Sequence, residues 1–301
     1  MDKWYNAIEQ RFSVRRYRSG ISAQEMANLQ KFANGIEAHG VRIAIGRSNK
    51  IFSGKIFTRK IVGTECFAAI ISKNGKDLYS GYLGEIFILE CVSRGYGTCW
   101  LGASFKMGAA LETIELEPGE SIVCVTPIGI PDEEPPYRKR LSLSELTDLT
   151  KDEFLDLPEW QQCAVESARL APSAMNRQPW QFYIYEDSLG IVNISRNLGF
   201  GMIDCGIAML HAELGASHAG EKVDWDVITR DDEAILYPVR PKPEKKQRTE
   251  NESTTENYDD AAYENIETYD EEPESPQNYN GDDEDEFYDF DFESDSETDL
   301  E

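Results

Sequence analysis

The order of the apolar segments occurs twice along the chain, and this repeat limits the possible folds more than any other feature. A helix, two strands, a longer helix and a further strand are predicted over residues 23–36, 41–45, 66–71, 79–94 and 122–128. The same order recurs in shorter form over residues 158–170, 181–185, 191–194, 203–214 and 234–237. The repeat predicts a chain built from two sequence-similar halves at residues 1–150 and 151–241.

Local signals mark where several of these segments begin and end. Ser22 is a candidate N-cap for the first repeated helix, and Ser142 or Ser144 is a candidate N-cap for a short polar helix near the end of the first half. Gly95 and Gly215 are expected to stop the two long helices. Both halves close on a strand followed by proline, with the sequence VTPIGIP in the first half and LYPVRP in the second.

The composition of the chain changes abruptly at Lys242, after which aliphatic residues almost disappear. Residues 251–301 hold 22 of the 56 acidic residues and no Lys or Arg, so the first 250 residues carry 34 acids against 30 bases. The net charge of -26 therefore belongs mainly to this tail. Such a segment cannot offset an ordering cost of roughly 1–2 kcal/mol per residue. We expect residues 242–301 to be a disordered acidic tail that either solubilises the chain or binds a basic partner.

Three sequence features bear on the compartment and on the kind of site. The first residues carry charges where a secretion signal needs an apolar stretch, and no apolar run approaches the roughly 18 residues of a membrane span. The six cysteines include no CxxC pair, and the three histidines lack metal-ligand spacing. We therefore expect a cytoplasmic protein with reduced thiols, no membrane or nucleic-acid partner, no metal site and no Ser-His-Asp triad.

The first segment with chemical potential, RFSVRRY, follows a short helix predicted within residues 2–18. It places Arg11, Ser13 and Arg15 at alternate positions of an extended turn, so that their side chains project to one side. Two guanidinium groups and a hydroxyl suit a phosphate or carboxylate, because guanidinium groups form charge-assisted and often bidentate hydrogen bonds. A plain basic turn on the surface explains the same residues.

The second segment, APSAMNRQPW, joins a predicted helix to a strand. Pro172 ends the helix, and Pro179 is expected to force an extended conformation on Gln178. Between the prolines, the polar side chains of Ser173, Asn176 and Gln178 offer hydrogen-bond donors and acceptors on a loop of small residues. That arrangement suits the rim of a flat heterocycle such as an isoalloxazine. The alternative is an ordinary helix-to-strand loop whose tryptophan belongs to the core.

The third segment, GYGTCWLG, follows the first long helix directly. Its opening glycines match part of a dinucleotide fingerprint, but the third glycine and the strand-to-helix context are missing, so we reject that interpretation. The useful feature is the backbone at Leu101 and Gly102. A glycine there lets an amide N–H approach a ligand closely.

Taken together, these segments resemble the nitroreductase family of FMN enzymes. The resemblance rests on RFSVRRY, APSAMNRQPWQF, GYGTCWLG and PIGIPDEEPPYRKRLSLSEL, the last being similar to the family's closing strand and its basic phosphate-contacting segment. It covers about residues 3–241. It implies an α+β fold with a nitroreductase-like mixed sheet flanked by helices. It also implies bound FMN and two-step hydride transfer from NADH or NADPH to a small aromatic or quinone-like oxidant.

The resemblance also implies roles for single residues. The Arg-x-Ser-x-Arg turn would bind flavin phosphate and ribityl oxygens, and the late basic segment would meet the phosphate as well. The Pro-Ser-x-x-Asn loop would contact the flavin ring, and the loop after the long helix would lie by its reactive nitrogen. In that order, the implied cofactor-binding residues are Arg11, Ser13 and Arg15, then Arg138, Lys139 and Arg140, then Pro172, Ser173, Ala174 and Asn176, and finally Trp100, Leu101 and Gly102.

One departure from the family pattern bears on assembly. Family members usually carry both motifs in each subunit and form dimers, in which the Pro-Ser-x-x-Asn loop reaches the partner's flavin. Here the Arg-x-Ser-x-Arg turn occurs only in residues 1–150 and the loop only in residues 151–241. The division implies a fused pseudo-dimer, similar to the monomeric nitroreductase-like proteins of bacteria, with one flavin site per chain.

Two other functions remain open on the sequence alone. One is a flavin-binding protein with little turnover, such as a flavin store or a specialised dehalogenase. The other is an interaction protein that acts through its acidic tail and carries a vestigial enzyme domain. Flavin absorbance of the purified protein would exclude the second of these, and anaerobic bleaching by NADH or NADPH would exclude the first.

Overall fold

The computed structural model describes residues 2–53, 60–75, 77–228 and 233–239. The elements of the first half are α1 (Asp2–Gln10), β1 (Tyr17–Ser19), α2 (Ala23–Gly35), β2 (Val41–Arg47), β3 (Cys66–Ser72), α3 (Leu78–Ser93), α4 (Met107–Leu111), β4 (Ser121–Pro127), β5 (Ile130–Pro131) and α5 (Leu143–Thr147). Those of the second half are α6 (Lys151–Leu155), α7 (Glu159–Arg169), β6 (Trp180–Ile184), β7 (Leu189–Asn193), α8 (Gly201–His218), β8 (Val223–Ile228) and β9 (Glu233–Pro238). The acidic tail predicted at 242–301 lies outside the described residues.

Two antiparallel sheets have the same strand order, as the sequence repeat predicts. In the first half β2 pairs with β3, and β3 pairs with β4. In the second half β6 pairs with β7, and β7 pairs with β9, while β8 extends the sheet beyond β9. In each half a long buried helix, α3 or α8, follows the second strand. The α+β class is therefore confirmed.

The helices α3 and α8 cross where each contributes a glycine. A Cβ on Gly81 would lie 2.8 Å from the carbonyl carbon of Ile203, and a Cβ on Gly206 would lie 2.8 Å from the carbonyl carbon of Leu78. Each glycine thus contacts the residue three positions before the other glycine. A reciprocal contact of this kind is what a two-fold axis produces. The two halves therefore pack as a pseudo-dimer.

A second matched contact precedes each of these helices. In the second half, Nδ2 of Asn197 donates a hydrogen bond to the carbonyl oxygen of Ala174 at 3.0 Å. In the first half, Nδ2 of Asn74 donates to the carbonyl oxygen of His39 at 2.9 Å. Both carbonyl groups belong to the loop between a helix and the first strand of its sheet, and a left-handed residue occurs in each loop, with φ 52° at His39 and 54° at Met175. The halves thus keep a common loop scaffold although their loop sequences differ.

Several predicted element ends are confirmed. Ser22 and Ser142 are the N-caps of α2 and α5, and each forms a capping box with a glutamate three residues later. Of the two serines proposed for the short helix, Ser142 is therefore the cap. Gly95 has φ 83° directly after the end of α3, as a glycine stop signal predicts. Among the described residues, no helix combines the length and apolar character needed to cross a membrane.

Packing explains where the prediction of elements was wrong. Gly215 does not end α8 but lies inside it, because a Cβ at this position would come within 2.7 Å of the carbonyl carbon of Cys163 in α7. The prediction also missed β1, α4, β5, α6 and β8. The capping box of Thr150 and Glu153 marks α6 in the sequence. In β8, residues 223–227 alternate half-buried and exposed side chains.

Candidate functional site

The turn after α1 is fixed by hydrogen bonds to distant parts of the first half. The N–H of Val14 donates to the carbonyl oxygen of Thr98 at 2.9 Å. Oε1 of Glu133 accepts from the backbone N–H groups of Arg15 and Arg16. These bonds explain the extended course of the turn. Sequence reasoning missed Glu133, because no local pattern connects it with the turn.

Arg11 lies inside the protein, with a side chain that is 2% exposed, so a plain surface turn does not describe it. Its Nε lies 3.8 Å from Oε1 of Glu85, a fully buried carboxylate in α3. Neither Nε nor Nη1 of Arg11 has a hydrogen-bond partner. Burial lowers the pKa of Arg11, while Glu85 acts in the opposite direction. Glu85 thus meets the charge of Arg11, but the unbonded N–H groups still lack acceptors, which is unfavourable in a buried site.

Ser13 and Arg15 lie beside Arg11 and are half-buried. Nη1 of Arg15 donates to the carbonyl oxygen of Ser13 at 3.3 Å, and Nε of Arg15 is buried without a hydrogen-bond partner. The Ser13 side chain forms a hydrogen bond with Cys99. Burial raises the pKa of the Cys99 thiol, whereas the charges of Arg15 and Arg11 lower it.

The basic segment contributes Arg138 to the end of α1. Its Nη1 donates to the carbonyl oxygen of Arg11 at 2.6 Å, and its Nη2 donates to that of Glu9 at 2.7 Å. These carbonyl groups belong to the last turn of α1 and the residue after it, where backbone acceptors lack partners within the helix. Arg138 therefore anchors the basic segment against α1.

Arg140 connects the basic segment with the second half, whereas Lys139 is exposed. Nη2 of Arg140 donates to the carbonyl oxygen of Leu170 at 3.0 Å, and Nη1 donates to Oδ1 of Asn176 at 2.8 Å. Nδ2 of Asn176 in turn donates to the carbonyl oxygen of Lys139 at 3.0 Å. The predicted phosphate segment, residues 138–140, is thus in direct contact with the loop predicted to contact the flavin ring, residues 172–178, which we call the ring loop.

The guanidinium group of Arg140 lies close enough to those of Arg11, Arg138 and Arg169 to be repelled by them. Burial and the charges of Arg11, Arg138 and Arg169 together lower the pKa of Arg140 to about 10. Nε of Arg140 is buried and has no hydrogen-bond partner. Because like charges in a partly buried site destabilise one another, the cluster is suited to hold an anion.

The ring loop itself is held in an unusual backbone conformation. Oγ of Ser173 accepts from the N–H of Gln178 at 2.8 Å, and Oε1 of Gln178 accepts from the N–H of Leu141 at 3.0 Å. The prediction that Pro179 makes Gln178 extended was wrong, since Gln178 has φ 51°. The two hydrogen bonds stabilise the left-handed conformation. Pro172, at the start of the loop, is buried.

The buried side chains of Asp204 and Asn197 bond the backbone of the ring loop at Ala174. Oδ1 of Asp204 accepts from the N–H of Ala174 at 2.9 Å, and Oδ2 accepts from Nδ2 of Asn197 at 2.5 Å. Burial raises the pKa of Asp204 to about 7, while its two hydrogen bonds act in the opposite direction. Sequence reasoning missed both residues, although an aspartate inside an apolar helix is a signal that could have indicated Asp204.

The loop after α3 is joined to the same region. Nε1 of Trp100 donates to Oε2 of Glu85 at 2.7 Å. The N–H of Leu101 donates to the carbonyl oxygen of Val125 at 2.9 Å and is engaged within the fold. A Cβ at Gly102 would overlap the ring of Phe200, so this glycine admits that ring. Backbone N–H groups of both Leu101 and Gly102 were predicted to approach a ligand. Because the N–H of Leu101 is bonded within the fold, this prediction now rests on the N–H of Gly102.

Glu85 links these parts to the second half through His211 in α8. Oε1 of Glu85 lies 3.0 Å from Nε2 of His211, whose Nδ1 lies 3.2 Å from the carbonyl oxygen of Ser167. All of these polar groups are buried. The one signal for them in the sequence is a glutamate among the apolar residues of α3.

Comparison with known proteins assigns the family. The family described as "Putative TM nitroreductase" matches residues 3–216. The chain belongs to this family. Membership places it among nitroreductase-type oxidoreductases. A comparison with curated proteins finds no match to the sequence.

Solved structures of nitroreductases have a similar fold. A crystal structure described as a "putative nitroreductase" from Thermotoga maritima is 21% identical, with a TM-score of 0.54 over 78% of this chain and 93% of that chain. An FMN-dependent nitroreductase from Clostridium difficile is 19% identical, with a TM-score of 0.35 over 48% of this chain and 94% of that one. A nitroreductase with bound FMN from Desulfitobacterium hafniense is 13% identical, with a TM-score of 0.37 over 46% of this chain and 95% of that one. Only the first of these similarities is strong enough to support the nitroreductase fold.

Proposed function

We propose that this nitroreductase family member is an FMN-dependent NAD(P)H oxidoreductase that binds one flavin between its two halves. The observation that carries the proposal is the set of buried guanidinium nitrogens without hydrogen-bond partners, on Arg11, Arg15 and Arg140. Their N–H groups fit a phosphate of charge about -2, whose oxygens accept charge-assisted hydrogen bonds. FMN carries such a phosphate at the end of its ribityl chain.

The side chains around the arginines complete a site of the required chemistry. We call the guanidinium groups of Arg11, Arg15, Arg138 and Arg140 the phosphate cluster. The direct contact of Arg140 with Asn176 joins this cluster of the first half to the ring loop of the second half. FMN, when bound, supplies the hydride and electron chemistry, and the protein positions it. The residues proposed to hold it are Arg11, Ser13, Arg15, Arg138, Lys139 and Arg140 at the phosphate and ribityl chain, and Pro172, Ser173, Ala174, Asn176, Trp100, Leu101 and Gly102 around the ring.

The electron donor, the oxidant and the oligomeric state are part of the same proposal. NADH or NADPH is the electron donor, and a small aromatic or quinone-like molecule is the oxidant. The protein works as a monomer, because one chain supplies both the phosphate cluster and the ring loop.

Visible absorbance of the purified protein, before and after anaerobic addition of NADH or NADPH, tests this function. We expect a flavin spectrum that bleaches with at least one of the two donors and returns when a quinone is added. A flavin spectrum that neither donor bleaches would make the protein a flavin-binding protein without turnover. A colourless protein that takes up no added FMN would refute the flavin assignment itself.

A further inference from the structure

His211 in α8 is a buried histidine whose two ring nitrogens each face an oxygen atom. Its Nδ1 lies 3.2 Å from the carbonyl oxygen of Ser167 in α7, and its Nε2 lies 3.0 Å from Oε1 of Glu85 in α3. The side chains of His211 and Glu85 are both 0% exposed, so water supplies no other hydrogen-bond partner. These contacts join α7 and α8 of the second half to α3 of the first half.

The two contacts determine how many protons the pair of His211 and Glu85 holds. A carbonyl oxygen only accepts hydrogen bonds, so Nδ1 of His211 carries a proton. A second proton lies between Nε2 and Oε1, because two lone pairs at this distance repel one another. Arg11 lies beside the same Oε1, and a neighbouring cation favours the ionised form of a carboxylate. The contacts therefore favour an imidazolium that is paired with an ionised Glu85.

The carboxylate of Glu85 is engaged by two donors other than Arg11. Its Oε2 accepts from Nε1 of Trp100 at 2.7 Å, and its Oε1 faces Nε2 of His211. Nε of Arg11 approaches Oε1 only to 3.8 Å, which is too long for a hydrogen bond. Both Nε and Nη1 of Arg11 stay unbonded. Glu85 thus balances the charge of Arg11 without occupying these N–H groups.

The same carboxylate without His211 would interact differently with Arg11. A guanidinium and a carboxylate that are both buried are stabilised by direct hydrogen bonds, because both charges have lost their water. In this protein the proton of His211 stabilises Oε1 of Glu85 from the side of the second half. If that donor were lost, Arg11 would be the cation that remains beside Oε1. An Arg11 bonded to Glu85 could no longer offer the same N–H groups to a phosphate.

We propose that His211 is a positioning residue of the flavin site, an imidazolium that engages Glu85 and thereby keeps the N–H groups of Arg11 available to the flavin phosphate. The inference rests on the proposed function. It adds a residue of the second half to the binding of the phosphate, which the sequence motifs assign to the first half alone. His211 acts through Glu85 and Arg11, so its effect is on the affinity for FMN.

Fluorescence titration of the full chain with FMN tests this role through the order in which two substitutions act. His211→Leu removes the proton donor and lets Glu85 bind Arg11, so the affinity for FMN should fall about tenfold or more. Glu85→Gln alone should bind FMN at least as tightly as the wild type, because its amide donates to a neutral His211 and does not attract Arg11. The double variant should therefore regain most of the affinity that His211→Leu loses. His218→Leu, at an exposed position of the same helix, is the matched control and should bind FMN as the wild type does.

Nitrogen NMR spectra of the purified protein, isotopically labelled at histidine, test the protonation of His211 directly. The chain has three histidines, and the exposed His39 and His218 serve as internal references. At about pH 8 an ordinary exposed histidine carries a single ring proton. We expect His211 to show two protonated ring nitrogens in the wild type and one, at Nδ1, in Glu85→Gln.

Two results would overturn the role of His211 and leave the flavin assignment standing. One is a double variant that binds FMN as weakly as His211→Leu or more weakly, since a residue that only supports packing gives losses that accumulate. The other is a neutral His211 in the wild type, and this spectrum decides alone if His211→Leu does not fold. If the wild type takes up no FMN, the role of His211 and the proposed function are both refuted.

Discussion

Replacing the glycines at the crossing of α3 and α8 by alanine tests whether the two halves are held together as a pseudo-dimer. A Cβ on Gly81 would lie 2.8 Å from the carbonyl carbon of Ile203, and one on Gly206 would lie 2.8 Å from that of Leu78. The neighbouring atoms are backbone in both cases, so no side-chain rotation can make room. The helices themselves would have to move apart.

The expected magnitude follows from two opposing effects. Overpacking of a tightly packed interior costs about 1–3 kcal/mol per substitution. Alanine in place of glycine within an unobstructed helix has the opposite effect and stabilises by about 0.5–1 kcal/mol. We expect Gly81→Ala and Gly206→Ala each to lower the free energy of unfolding by about 1–3 kcal/mol. Gly108→Ala in α4 is the matched control and should raise it, since no atom lies within 4 Å of an added Cβ there.

Urea unfolding followed by far-ultraviolet circular dichroism, at one fixed FMN concentration, provides the measurement. A single movement of the helices makes room for both methyl groups, so the double variant should lose less stability than the two single variants together, by about 0.5 kcal/mol or more. If Gly81→Ala is as stable as Gly108→Ala, or if the two effects add fully, the reciprocal crossing does not hold the halves together.

Three further predictions concern the site and the tail. Arg140→Ala should reduce FMN affinity about ten- to hundredfold, because it removes a charge-assisted contact worth about 1.5–3 kcal/mol. Its stability should change little, because repulsion between the arginines is relieved. The affinity is measured by fluorescence titration with the exposed Arg177→Ala as control, and equal affinities of the two variants would count against the phosphate site. Burial raises the pKa of Asp204 from 3.8 to about 7. Between these two pH values the native state keeps a proton that the unfolded chain has lost. The free energy of unfolding should therefore fall by up to about 4 kcal/mol as the pH rises from about 4 to about 7. Urea unfolding at pH 5 and pH 8 should show this fall in the wild type and a smaller one in Asp204→Asn; equal falls would disprove it. Truncation after Arg240 should leave FMN content and NAD(P)H oxidation intact, because every proposed flavin contact precedes it, and a folded but colourless product would contradict this.

The repeated order of elements could be predicted from the sequence because it rests on local patterns. Apolar periodicity indicates the strands of both sheets, and Ser22 and Ser142 mark helix starts through hydrogen bonds to residues three positions away. The function of Gly215 could not be predicted in this way. A glycine at a helix end and a glycine in a close helix contact look the same until the partner helix is known.

The sequence predicts the residue types of the candidate site, and that assignment stays a prediction, whereas the burial of its residues is not predicted. Alternate spacing shows that Arg11 and Arg15 share one side of a turn, whereas only the fold shows that Arg11 is enclosed beside Glu85. Glu133 was missed for the same reason, since it bonds backbone N–H groups of a segment far away in the sequence. Such polar contacts depend on tertiary packing and leave no periodic signal in the sequence.

The number of flavins per chain tests the central claim most directly. Sedimentation velocity monitored at the visible absorbance of flavin gives the mass of the flavin-bound species and the ratio of flavin to protein together. The phosphate cluster lies in the first half and the ring loop in the second, and a second site would lack arginines to meet a phosphate of charge about -2. We predict a monomer with one FMN per chain. Two flavins per chain, or an obligate dimer whose loop from Ser173 to Asn176 reaches the other subunit, would contradict the account.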